Sequence, residues 1–68
     1  MSPQRRLAAR IRKLRERRGM TQETLARRAK ISRVYVAQIE RQRQDPTLSV
    51  VVRLAKALKV KVGALVDS

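Results

Sequence analysis

The sequence predicts an all-α fold, a compact bundle of short helices organised around the stretch from Thr21 to Glu40. Along most of the chain, apolar residues recur at the three- and four-residue spacing of amphipathic helices. Thr21, Ser32 and Thr47 each stand before such a stretch, where a side-chain oxygen can accept hydrogen bonds from unpaired backbone N–H groups. A chain of 68 residues provides one small domain, residues 1–68.

The first helix is predicted from Arg5 to Arg18. Its apolar residues recur at positions i, i+4 and i+7: Leu7, Ile11 and Leu14. The other faces carry Arg and Lys, so this helix should depend on packing, because like charges repel along it. Gly19 is expected to end the helix in the left-handed conformation that other residues avoid.

Two shorter helices follow, from about Gln22 to Arg28 and from about Ser32 to Arg41, with the helical spacing interrupted near Lys30. Neither is long enough to fold alone, so the pair needs a core supplied by the rest of the chain. In the second of them, Val36 and Ile39 are predicted to point inward.

A fourth helix is predicted from Leu48 to Leu58, after a polar loop. One broad apolar face should close the core over the helix pair; it comprises Leu48, Val51, Val52, Leu54, Ala55 and Leu58. The last segment, Val60 to Val66, is also rich in apolar residues. It either finishes the core or pairs in part with a second copy of the chain.

The outer face of the third helix carries the side chains that point to function. Opposite Val36 and Ile39 lie Val34, Ala37, Gln38 and Arg41, with Arg33 at the edge of this face. The set comprises one amide, two guanidinium groups and two small apolar side chains. Arg can bond guanine in a bidentate way, Gln can do so to adenine, and Val or Ala can contact a thymine methyl group. The face suits base-pair edges, although an ordinary solvated helix face has a similar composition.

The charge of the chain favours a polyanion as partner. There are 18 Lys and Arg residues against 5 Asp and Glu and no His, a formal net charge of +13. Cations that neutralise phosphates release condensed counterions, which supplies most non-specific affinity for nucleic acid. A membrane surface is the weaker alternative, because the chain lacks Trp, Phe and any long apolar run.

Catalysis is not expected from this composition. Without His or Cys, the chemistry would fall to five carboxylates scattered among cations: Glu16, Glu23, Glu40, Asp45 and Asp67. The sequence also lacks a Gly-rich phosphate loop and cysteine ligands, so we expect no cofactor, metal or small-molecule ligand. The basic start has no following apolar segment of a secretory signal, which predicts a cytoplasmic protein.

The chain resembles the phage-repressor-like (Xre/Cro-type) helix-turn-helix family over roughly its whole length. The matching stretches are LAARIRKLRERRGMTQETLARRA, ISRVYVAQIERQRQDPTLSVVVRLAKAL and VKVGALV. The resemblance implies a bundle of five helices with the helix-turn-helix unit at about residues 21–41. It also implies a third helix in the major groove of DNA and two copies on a pseudo-palindromic operator.

The resemblance also assigns roles to individual residues. The base-reading positions of the family fall on Ser32, Arg33, Val34, Ala37 and Gln38. The phosphate contacts fall on Gln22, Arg41 and Arg43. A structural ion pair between the first and third helices falls on Arg15 and Glu40. From the residues alone, Gln22 is equally compatible with a plain polar role in the first turn.

The sequence departs from the family at the ends of two helices. The family usually has Gly where this chain has Lys30 and Lys59, so both lysines are expected in a left-handed conformation.

Two other functions are compatible with the sequence. One is a protein-interaction module such as an antitoxin or coactivator, and the other is a binder of RNA or of any DNA through charge alone. The scarcity of aromatic side chains argues against single-stranded RNA.

Overall fold

The computed structural model describes residues 3–66, with side chains from Arg5 onward. It contains five helices: α1 (Pro3–Arg17), α2 (Gln22–Ala29), α3 (Arg33–Glu40), α4 (Leu48–Leu58) and α5 (Gly63–Val66). The described residues include no strand, so the predicted all-α fold with five helices is confirmed. Asp67, one of the five carboxylates considered above, lies outside the described residues.

One apolar core holds the helices together. α2 packs against α3 and against α4, whereas α1 packs against α3, α4 and α5. The largest fully buried side chains come from all five helices: Ile11, Leu25, Val36, Ile39, Leu54, Leu58 and Leu65. Ala26 and Ala29 are also buried, and their small side chains allow α2 to approach its neighbours closely. The inward positions predicted for Val36 and Ile39 are confirmed.

Three helices begin at the predicted caps. The Thr21 hydroxyl accepts a hydrogen bond from the backbone N–H of Thr24 at 3.0 Å, and the Thr47 hydroxyl accepts one from Val50 at 3.3 Å. The Ser32 hydroxyl accepts the backbone N–H of Tyr35 at 3.0 Å, which starts α3. Each cap pairs a donor that the helix itself leaves unpaired.

The first four helices end in one recurring way. A residue with positive φ follows each helix: Gly19 (φ 64°), Lys30 (φ 60°), Gln42 (φ 63°) and Lys59 (φ 58°). The next backbone N–H then bonds a carbonyl five positions earlier: Met20 to Arg15, Ile31 to Ala26, Arg43 to Gln38 and Val60 to Ala55. This is the Schellman motif, in which the residue after the left-handed position commonly makes an apolar contact with the helix. Left-handed Gly19, Lys30 and Lys59 are as predicted, whereas Gln42 was not predicted.

The core differs from the prediction at the start of α4. Leu48 was predicted to face the core, but it is 72% exposed, and Val50 is buried instead. Helical side chains lean toward the helix N-terminus, so the side chain of the first residue extends past the end of the helix. Val50 lies four residues before Leu54 and therefore joins the buried stripe.

The last segment completes the core. Leu65 is fully buried, and Val60 and Val62 pack partly buried against the core. Arg10 donates from Nη1 to the carbonyl oxygen of Leu65 at 3.4 Å, which links α5 to α1. Val66 remains about half exposed. None of the helices within residues 3–66 has the length and apolar character needed to cross a bilayer.

Candidate nucleic-acid interface

An open groove of about 280 Å³ runs along the outer face of α3. It is lined by Gln22, Arg33, Val34, Ala37, Gln38, Arg41 and Arg43. The described lining contains three guanidinium groups, two amides and two small apolar side chains, and none of its residues is acidic. The structure thus brings together every residue that the sequence assigned to DNA except Ser32.

The buried face of α3 determines which side chains line the groove. Val36 and Ile39 are 0% and 2% exposed, so the opposite side of the helix faces solvent. Arg33 and Gln38 are exposed there, and Val34 is an exposed apolar residue. A helix with long polar side chains and small apolar ones on its outer face has the shape and chemistry to enter the major groove of DNA.

The C-terminal end of α3 positions two further cations. The backbone N–H of Arg41 bonds the Ala37 carbonyl at 3.0 Å, and that of Arg43 bonds the Gln38 carbonyl at 2.8 Å. Left-handed Gln42 permits the second bond. After α1, α2 and α4, the residue that follows the left-handed position is apolar and lies in the core or at its edge. After α3 this residue is Arg43, which is exposed and lines the groove.

Ser32 lies at the start of α3 rather than in the groove. It is exposed, and its hydroxyl oxygen accepts the Tyr35 backbone N–H as described above. The hydroxyl hydrogen is not used by this bond, because a serine can donate and accept at the same time.

A bidentate ion pair fixes α3 against α1. Arg15 Nε donates to Glu40 Oε2 at 2.7 Å, and Arg15 Nη2 donates to Glu40 Oε1 at 3.0 Å. Arg15 Nη1 also donates to the carbonyl oxygen of Met20 at 2.8 Å. The two side chains are only 12% and 5% exposed. The hydrogen bond to Glu40 is the main reason that the pKa of Arg15 is raised, so the guanidinium stays charged.

Gln22 lies between this ion pair and the groove. Its amide nitrogen donates to Glu40 Oε1 at 3.1 Å, a contact that the sequence did not predict. An amide nitrogen carries two hydrogens, so one remains for a second acceptor. The sequence held no signal for this bond, because it depends on how α2 and α3 pack.

A short helix whose polar, basic outer face is held by a preceding helix is the recognition unit of a helix-turn-helix DNA-binding regulator. Residues 11–65 match the helix-turn-helix family. The chain belongs to this family, as the sequence resemblance predicted.

The chain is similar in sequence to a phage repressor. The chain is 46% identical over 57 residues to the immunity repressor protein of Bacillus phage phi105. The match covers 84% of the chain and 40% of the repressor, so the chain spans less than half the length of that relative.

Solved structures share the whole fold. A hypothetical transcription factor, NHTF, from Neisseria superposes with a TM-score of 0.92 at 35% identity, covering 96% of this chain and 75% of that one. The restriction-modification controller protein C.AhdI from Aeromonas hydrophila superposes with a TM-score of 0.89 at 34% identity, covering 91% and 94%.

Proposed function

We propose that the chain regulates transcription by binding a specific sequence of double-stranded DNA, with α3 in the major groove. The observation that carries the proposal is the convergence of the α3 side chains, Gln22 and the two arginines after α3 on one groove, where no acidic side chain stands among the described residues. Its relatives include an immunity repressor, which makes repression the favoured direction of regulation.

Base recognition is proposed for the outer face of α3. Arg33 and Gln38 would hydrogen-bond to base edges, because guanidinium and amide groups match guanine and adenine in the major groove. Val34 and Ala37 would contact thymine methyl groups. Ser32, at the start of α3, would donate its hydroxyl hydrogen to a base or a neighbouring phosphate.

Phosphate contacts are proposed at both ends of the helix-turn-helix unit. Arg41 and Arg43 would hold the backbone beside the C-terminal end of α3. Gln22 would donate its remaining amide hydrogen to a phosphate oxygen, while its other hydrogen stays on Glu40. The Arg15–Glu40 pair would have no contact with DNA. It would set the position of the phosphate-binding side chains at both ends of the unit. These phosphate contacts orient the domain but carry no sequence information.

The chain is proposed to bind as a pair. α3 spans only about 12 Å, so a single copy reads a short half-site. Two copies related by a two-fold axis would read half-sites about 34 Å apart, one turn of DNA. We propose that the pair forms mainly on the operator.

The chain would act by binding rather than catalysis, in the cytoplasm and without a cofactor. Residues 1–68 would form one DNA-binding domain.

The test is a selection of bound duplexes from a random-sequence pool, run near physiological salt so that charge alone does not decide binding. We expect enrichment of an inverted repeat whose half-site centres are about one helical turn apart. If no sequence is enriched and binding collapses as salt rises, the chain binds DNA through charge alone and the proposal is wrong. Binding to no duplex would favour a protein partner instead.

A further inference from the structure

A second basic cleft lies at the C-terminal end of α2, beside α4. It is an open space of about 480 Å³ lined by Arg28, Ala29, Lys30, Arg53 and Lys56. Ala29 is buried and its small side chain leaves the cleft unfilled. The other four residues are exposed cations, and no acidic residue within residues 3–66 lines the cleft. We refer to the space between these four side chains as the α2–α4 cleft.

The four cations have no partner within residues 3–66. None of their side chains makes a hydrogen bond or an ion pair there, in contrast to Arg15, which is fully engaged by Glu40 and Met20. Four like charges around one cleft repel one another and destabilise the fold, and a bound polyanion would relieve this repulsion. The arrangement is therefore better suited to a bound state than to the free chain.

The backbone at Lys30 is left-handed, as it is at Lys59, which does not line the cleft. Lys30 has a φ of 60°, a conformation that glycine adopts without strain and lysine does not. A lysine at this position adds a cation to the cleft at a conformational cost.

The form of the cleft indicates an extended polyanion rather than a small one. α2 ends at the cleft, so it presents carbonyl oxygens there, which repel an anion. Attraction must come from four long exposed side chains. Such side chains match a phosphate backbone, whereas a pocket for a small ligand places a few fixed polar groups around an enclosed space.

The cleft is poorly placed for the duplex on α3. The groove and the cleft share no lining residue: the groove is lined from the start of α2, from α3 and from the loop after it, whereas the cleft is lined from the end of α2 and from α4. Gln22 lines the groove at the N-terminal end of α2, and Lys30 lies beyond its C-terminal end, about 12 Å along the axis. Only three of the 18 basic residues line the groove, which leaves many cations for another contact.

We propose that the α2–α4 cleft binds the phosphate backbone of a second DNA segment while α3 holds the first, so that the protein joins two segments. The inference rests on the proposed function for the identity of the first contact. It adds a second contact that does not read sequence.

The experiment measures the two contacts separately. A duplex of the selected operator is immobilised and loaded with protein, and a fluorescent duplex of scrambled sequence is then added. The amount of protein that binds the immobilised operator, compared with the amount that binds an immobilised scrambled duplex, reports sequence-specific binding by α3. Capture of the fluorescent duplex reports the second contact.

Two neutralising variants are compared. Arg53→Gln with Lys56→Gln removes two charges from the cleft on the exposed side of α4. Lys13→Gln with Arg17→Gln removes two exposed charges from α1 and serves as the matched control. Gln is a good helix former, so all four substitutions suit their helices. We expect the cleft variant to weaken second-duplex capture about tenfold or more and to change operator loading less than about twofold.

A second pair of variants separates charge from folding. Lys30→Gly and Lys59→Gly each remove one exposed cation from a left-handed position after a helix, with φ of 60° and 58°. Only Lys30 lines the cleft. Glycine suits both positions, so neither variant should unfold. We expect Lys30→Gly to weaken second-duplex capture several-fold and Lys59→Gly to leave it nearly unchanged.

The outcomes distinguish the two proposals. Equal loss of capture in the cleft variant and the α1 control would overturn the cleft, as would no capture by the wild-type protein while operator loading is intact. Capture that survives both cleft variants would mean that dimerised copies hold one duplex each through α3. Equal loading on operator and scrambled duplex, with capture still sensitive to Arg53 and Lys56, would overturn only the sequence-specific function.

Discussion

The amide nitrogen of Gln22 donates a hydrogen bond to Glu40 Oε1 at 3.1 Å, the same oxygen that accepts from Arg15 Nη2. One carboxylate therefore connects the first three helices. It fixes α3 against α1 and holds the side chain of Gln22 at the edge of the groove. The position of a proposed phosphate contact thus depends on a largely buried ion pair outside the groove.

The ion pair should contribute strongly to stability only as a complete pair. Arg15→Met or Glu40→Leu alone leaves a largely buried charge without its partner, and each should lower the free energy of unfolding by about 3 kcal/mol. The double variant should lose at least about 1 kcal/mol less than the sum of the two single losses. Urea denaturation of all four proteins measures this. Small, additive losses would show that the pair behaves as an exposed surface pair.

Arg43 should contribute to affinity without contributing to specificity. Arg43→Ala removes one phosphate contact from each copy, so the slope of log K against log salt should fall by about 0.9 per bound copy for cognate and scrambled duplexes alike. Arg43→Lys keeps the charge and should keep the slope. Titrations at several salt concentrations measure both. A loss confined to the cognate duplex would mean that Arg43 contacts a base instead.

Lys59 should be replaceable by glycine with a gain in stability. Its φ of 58° costs a non-glycine residue roughly 1 kcal/mol. Glycine removes this strain, but part of the gain is lost because glycine gives the unfolded chain more conformational freedom. We expect Lys59→Gly to raise the free energy of unfolding by about 0.5 kcal/mol. Lys59→Ala removes the same charge but keeps the strained Cβ and should give no gain. Equal effects of the two variants would assign the change to charge.

Local chemistry explains what could be predicted from the sequence. The caps at Thr21, Ser32 and Thr47 and the left-handed end at Gly19 depend on neighbouring residues alone, and the structure has them as predicted. The left-handed Lys30 was expected from the family resemblance instead. The inward face of α3 follows from its own periodicity. These features place the outer face of α3, and most of the candidate site follows from them.

Features that depend on packing between helices could not be predicted. The bond from Gln22 to Glu40 joins residues 18 positions apart, and the α2–α4 cleft joins cations of two helices whose relative placement the sequence does not state. Each of those cations, taken singly, has the pattern of an ordinary solvated residue.

Leu48 shows the same difficulty inside the core, and it can be tested. Its spacing fits the apolar stripe of α4, but it is the first residue of that helix, and its side chain is 72% exposed. Leu48→Ala should change the free energy of unfolding by less than about 0.5 kcal/mol. Leu54→Ala, at a fully buried position, should cost about 2 to 5 kcal/mol. A large loss for Leu48→Ala would show that this side chain is covered in solution.

The most direct test of base recognition by α3 is the binding of Gln38→Ala to the cognate duplex, to its single-base variants and to a scrambled duplex. Gln38 is exposed in the groove, so its loss should not affect folding. We expect a loss of about 1 to 3 kcal/mol on the cognate duplex, relaxed preference at one base position and little change on the scrambled duplex. Equal losses on cognate and scrambled DNA would contradict the account, because Gln38 would then hold the duplex without reading it.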